Sequence, residues 1–184
     1  MKVLKLFEQY IESADYKISV FFKELESQIK KWFTVGSLAA QGCELDGDVE
    51  ISIINPMEKI LIFRFIEPLG DEEQIEGEET NLSYIYRVIF MIRLDQMKQN
   101  TPEDQEEIVG AAGIPVEGKD LEINKVLLKI HQFDENHIEK GELVEEVSIE
   151  DIKEDFIIDK IGELKDKSES SDTEIDLEDK IRVK

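Results

Sequence analysis

Residues 3–33 carry an apolar row longer than a small sheet can cover, and that segment limits the folds open to the chain. Leu4, Phe7, Ile11, Ala14, Ile18, Phe21 and Leu25 recur at alternating steps of three and four, a heptad seam that Gln28 interrupts before Trp32. Val3, Leu6, Tyr10, Phe22, Ile29 and Phe33 widen the stripe beyond a two-stranded seam. At 1.5 Å per residue such a helix spans about 45 Å. Either it bends near Ser13-Ala14-Asp15, or another polypeptide buries part of the stripe. Lys30 and Lys31 close it, complementing the negative end of the helix dipole.

After Thr34-Val35-Gly36-Ser37 the period changes to two. Asp46-Gly47 between Leu38–Leu45 and Asp48–Asn55 predicts a two-residue hairpin, because such turns need positive φ. Asn55-Pro56-Met57-Glu58 predicts a second turn. Lys59–Glu67 is apolar on both faces and belongs inside a covered sheet. In Leu82–Asp95, Leu82, Tyr84, Tyr86, Val88, Phe90, Ile92 and Leu94 point one way. Arg87 and Arg93 stand on the mixed face, where they need carboxylate partners or water. Thr101-Pro102 predicts a short helix that Gly110-Ala111-Ala112-Gly113 ends. Residues 120–134 fit a strand better than a helix through their β-branched content, and His137–Val147 returns as an edge strand. Ser148-Ile149-Glu150-Asp151 resembles a capping box ahead of an amphipathic helix bearing Ile152, Phe156, Ile157, Ile161 and Leu164. From Asp166 the pattern gives way to polar, low-complexity sequence.

The expected fold class is therefore α+β: a mainly antiparallel sheet of five to six strands with a long N-terminal helix packed on one face, a C-terminal helix and an acidic disordered tail. Residues 1–166 read as a single domain, with helix over 3–33, sheet over 38–147 including an acidic loop 68–81, and helix over 149–165. Residues 167–184 read as the flexible acidic tail.

Charge separates the chain into unlike parts. The whole carries 44 acids against 22 bases, a net charge of −22, yet residues 1–34 hold six lysines against five acids. Asp71, Glu72, Glu73, Glu76, Glu78 and Glu79 crowd residues 70–80 with no base among them. Direct nucleic-acid binding is disfavoured, since phosphates need a basic face. Attachment to anionic membranes through a polybasic patch is disfavoured for the same reason. No apolar run approaches the ~20 residues of a membrane span, so no membrane insertion is expected and the reading is a soluble, intracellular protein.

Motifs that carry chemistry are missing. One cysteine, Cys43, excludes an internal disulfide, and its neighbour Glu44 opposes a reactive thiolate. His131, Asp134, Glu135, His137 and Glu139 lack ordered metal-ligand spacing. Glu44, Asp46, Asp48 and Glu50 lack the ligand order of a calcium loop. No Gly-x-Ser-x-Gly elbow or phosphate-binding glycine loop occurs. No cofactor is expected, and the chain reads as a non-enzymatic protein-interaction or assembly subunit. It would oligomerise or dock through Leu4, Phe7, Ile11, Ile18, Phe21, Leu25 and Trp32, with protein partners that include a second copy. The acidic loop residues 71–79 offer an alternative, an acidic chaperone or charge-mimic inhibitor holding a basic protein. A further alternative is a small-molecule module or enzyme with a pocket lined by Trp32, Phe63, Tyr84 and Tyr86 between helix and sheet.

Overall fold

The computed structural model describes residues 2–68, 83–94, 97–99 and 121–181, with 2–7, 9–10, 98–99, 121 and 169–181 described by their backbone alone. Helix α1 (Lys2–Trp32) opens the chain, followed by the short α2 (Ser37–Ala40). The strands are β1 (Glu44–Leu45), β2 (Glu50–Asn55), β3 (Glu58–Pro68), β4 (Ser83–Arg93), β5 (Lys98–Gln99), β6 (Leu121–Glu122), β7 (Lys125–Phe133) and β8 (Glu139–Ser148). A 3-10 turn over Ile149–Asp151 leads into α3 (Glu154–Ile181). The main sheet has six strands in the order β1-β3-β4-β7-β8, with β2 also on β3, and every pairing is antiparallel. β5 and β6 form a separate two-stranded ladder. The chain is α+β, as the change of period from 3.6 to two requires.

One face of the sheet is the core. Leu61, Phe63 and Phe65 of β3, Tyr86, Val88 and Phe90 of β4, and Leu128 and Ile130 of β7 are buried there beneath both long helices. α1 is a single helix throughout, with no break at Ser13-Ala14-Asp15. Its buried row is Ala14, Ile18, Phe22, Leu25, Ile29 and Trp32. Those five steps cover 18 residues, a period of 3.6, so the row follows a straight helix on a sheet and not the 3.5 of a supercoiled seam. Phe22 thereby takes the core position that the heptad assigns to Phe21. Phe33 turns its ring toward Phe65 at 5.2 Å and Phe63 at 6.0 Å, fixing the C-terminal end of α1 over β3. Nearer its middle, Asp15 pairs with the buried ammonium of Lys59 at the start of β3.

Two local expectations are corrected. Of Leu38–Leu45 only Glu44–Leu45 is strand: Ser37–Ala40 forms a turn of helix, closed by Gly42 at φ +80°. Gly42 N–H donates to Ala39 O and Cys43 N–H to Leu38 O, the paired bonds of a Schellman ending. At its other end, Leu38 N–H donates to Glu154 Oε1 at 2.7 Å, so a carboxylate from α3 serves as the missing cap. Asp46-Gly47 does not join a hairpin either. β1 and β2 lie in tandem along the same edge of β3, where residues 46–49 bulge opposite Phe63 and Arg64. Asp46 N–H donates to Arg64 O while its carboxylate pairs with the Arg64 guanidinium at 2.9 Å, which ties the bulge to β3. Gly47 keeps the positive φ expected of it, at +92°.

The Asn55-Pro56 turn forms as predicted, with Asn55 Oδ1 accepting the Met57 N–H. β8 pairs with β7 through a turn held by Asp134, whose Oδ1 accepts the N–H groups of Asn136 and Ile138. Ser148 makes no side-chain cap, and the final helix starts at Glu154, after Ile152 has been buried in extended backbone. α3 continues to Ile181, past the boundary expected at 165, since residues 163–184 contain no glycine or proline to end it. The expected Thr101-Pro102 helix and the 110–113 glycine pair lie outside the described residues.

Candidate functional site: a groove beside the first helix

Straight packing leaves one flank of α1 without cover among the described residues. Tyr16 is 71 % exposed and Val20, one turn later, 39 % exposed; Phe21 beside them is half-buried. Facing this flank are Ile123 from the β6–β7 connection and Ile149 from the 3-10 turn, held together by the Ile149 N–H bond to Asn124 O at 3.1 Å. Between the two walls runs an open groove of about 510 Å³, with Lys17, Glu24, Glu122 and Glu150 at its rim. An apolar floor with a charged rim is the anatomy of a protein-docking surface. Tyr16 adds an aromatic of the kind that anchors such surfaces.

The residues expected to dock are placed differently from one another. Ile18, Leu25 and Trp32 are buried against this chain's own sheet and so are not open to a partner. Ile11 and Phe21 are half-buried. Leu4 and Phe7 lie on the α1 backbone, their side chains outside the described residues, and Asp71, Glu72, Glu73, Glu76, Glu78 and Glu79 lie outside them altogether. Tyr16 and Val20, the exposed large apolar side chains of α1 among the described residues, belong to neither apolar row of the sequence; their four-residue spacing is the signal that pairs them.

Other candidate chemistry resolves into structure. Asp46 is held by Arg64. His131 Nδ1 lies 2.7 Å from Glu139 and its Nε2 3.6 Å from Glu142. Asp134 is occupied by its turn and by Lys140, and the turn's backbone bonds hold its carboxyl below the usual range. Among the described residues no group of three or more His, Cys, Asp or Glu could hold a metal. Of the residues expected to line an aromatic pocket, Trp32, Phe63 and Tyr86 are buried and Tyr84 is half-buried, and Phe63, Phe65 and Tyr86 stack in sequence with centroids 6.2 and 5.0 Å apart.

One polar cluster was not foreseen. Buried Gln132 donates from Nε2 to Tyr86 Oη at 3.3 Å, and Lys165 of α3 reaches Glu67 at 2.7 Å. Cys43, Glu67 and Lys165 share a small cavity of about 140 Å³ under α3. Burial, followed by the charge of Glu67, pushes the Cys43 thiol up to about 11, and the same two causes hold the Tyr86 phenol above its ordinary value. Both groups are therefore protonated at neutral pH. The cluster orients the junction of β3, β4, β7 and α3.

No family model, no curated protein and no solved structure matches this chain. No helix among the described residues is long and apolar enough to cross a membrane.

Proposed function

We propose that this chain is a non-enzymatic protein-interaction or assembly subunit that engages another polypeptide, or a second copy of itself, through the exposed flank of α1. The observation that carries the reading is Tyr16 and Val20 standing exposed one helical turn apart above the Ile123–Ile149 wall. Charge supports it. Residues 1–34 are close to neutral in a chain of net charge −22, so α1 is where another acidic surface can approach with least repulsion. Burying Tyr16 and Val20 on docking removes apolar surface from water at about 25 cal/mol per Å².

The test compares the native chain with a Tyr16→Glu/Val20→Glu double variant. Size-exclusion with light scattering reads self-association, and affinity capture from the native source followed by mass spectrometry reads other partners. The expected result is a loss of mass or of specific captured chains in the variant, with its thermal melt unchanged. Identical mass and identical captured chains for the two proteins would remove α1 as the docking element.

A further inference from the structure

α1 and α3 pack on one face of the sheet; the other face has a composition of its own. Side chains on it alternate with the core row along every strand. Ile62, Ile89 and Lys129 sit side by side across β3, β4 and β7, and the adjacent row is Arg64, Arg87 and His131. Met91 and Leu127 continue the aliphatic floor. Most of the cations here are answered from the strand edges: Arg64 by Asp46 at 2.9 Å, Arg93 by Glu58 at 3.6 Å, Lys125 by Glu146 at 2.6 Å.

Two are not. Arg87 and Lys129, on the adjacent strands β4 and β7, have no ion-pair partner among the described residues, although Asp46, Asp48 and Glu50 line a cavity of about 320 Å³ with Arg87, in a chain with two acids for every base. The Arg87 guanidinium lies over the Phe133 ring at 5.4 Å, and its buried Nε–H has no acceptor. A partly desolvated guanidinium with an unused donor favours an anion more strongly than an exposed one does.

We propose that this face is a docking surface for an extended, acidic and aliphatic segment of a partner polypeptide. Its carboxylates would pair with Arg87 and Lys129, and its aliphatic side chains would lie on Ile62, Ile89, Met91 and Leu127. Spacing supports the match. Arg87 and Lys129 are diagonal neighbours on adjacent strands, with backbones about 7–8 Å apart. An extended chain presents alternate side chains about 6.8 Å apart on one side. Two carboxylates at positions i and i+2 therefore reach both cations without bending the segment, and aliphatic residues at i−2 and i+4 share their side and meet the floor beyond them. The acids at the strand edges repel such a segment if it lies across the sheet, which favours an orientation along β4 and β7. This surface lies on the opposite side of the sheet from the α1 groove and shares no residue with it, so either reading can fail alone.

The test titrates the full ¹⁵N-labelled chain with a synthetic peptide that carries leucine, glutamate, glutamate and leucine at alternate positions with threonines between them, and with the same peptide bearing serine in place of both glutamates. The expected result is amide shifts concentrated on β4 and β7 with the glutamate peptide, and binding at least tenfold weaker for the serine peptide. Arg87→Gln/Lys129→Gln should also weaken glutamate-peptide binding at least tenfold. Lys129→Glu alone leaves the Arg87–Phe133 contact in place and should give the same loss if the double variant does not fold. The chain's net charge by itself predicts repulsion of an acidic peptide. Absence of β4 and β7 shifts at millimolar peptide, or undiminished binding by a folded variant, would overturn the proposal.

Discussion

Replacing Asp15 by asparagine removes the charge that answers Lys59, and the geometry sets the size of the effect. The Lys59 side chain is 6 % exposed and that of Asp15 46 %, so the pair is buried on one side only. Breaking a fully buried pair by removing one partner costs about 3–5 kcal/mol, whereas an exposed pair contributes about 0–1 kcal/mol. An ammonium left almost wholly out of water, with a polar amide still beside it, lies between these limits, at about 2 kcal/mol. Removing the lysine instead leaves Asp15 half in water and fills the same channel with an aliphatic stem. Lys59→Met should accordingly stay within about 1 kcal/mol of wild type. The double variant should resemble Lys59→Met, since the buried charge is gone in both. Urea unfolding followed by circular dichroism measures the cycle. With a slope of about 2 kcal/mol/M, Asp15→Asn should lower the midpoint by about 1 M. An Asp15→Asn midpoint within error of wild type, or a Lys59→Met loss equal to it, would refute the idea that α1 is locked to β3 by this charge.

Glu154→Ala deletes the carboxylate that accepts the Leu38 N–H and should lower stability by about 1–2 kcal/mol, while Glu154→Gln keeps an acceptor and recovers part of it; thermal melts of the three proteins decide this. Cys43 is raised from 9.0 to about 11 in the folded chain, so its neutral form is the one folding favours. Its contribution is complete below pH 9 and is lost as the pH rises toward 11, where the unfolded thiol ionises first. Cys43→Ala should flatten that part of the stability–pH curve measured by urea midpoints, and a curve unchanged by the substitution would count against the buried thiol.

Periodicity made the layers legible. The alternation of Tyr84, Tyr86, Val88, Phe90 and Ile92 marked β4 and its core face, and the stripe of α1 marked the helix that covers it. The same stripe misled in detail, because heptad and 3.6-residue rows diverge by about 20° per heptad and exchange Phe21 for Phe22 over two turns. α2 was hidden in Leu38-Ala39-Ala40-Gln41-Gly42, where a glycine that closes a helix reads equally well as the flank of a strand. Arg87, Lys129, Gln132 and the Tyr16–Val20 flank were each visible as letters. Their significance depends on registers such as Tyr86 opposite Gln132 and on which side of α1 meets the sheet. Those are facts about segments far apart in the chain, and local pattern does not carry them.

The bond from Leu38 to Glu154 also bears on how the molecule comes together. A turn formed within the first quarter of the chain is finished by a residue 116 positions later, so during synthesis on the ribosome it waits until most of the polypeptide has emerged. Until then the opening helix and the early strands have no fastening to the C-terminal helix through this bond. A late stitch of assembly is therefore made near the beginning of the sequence.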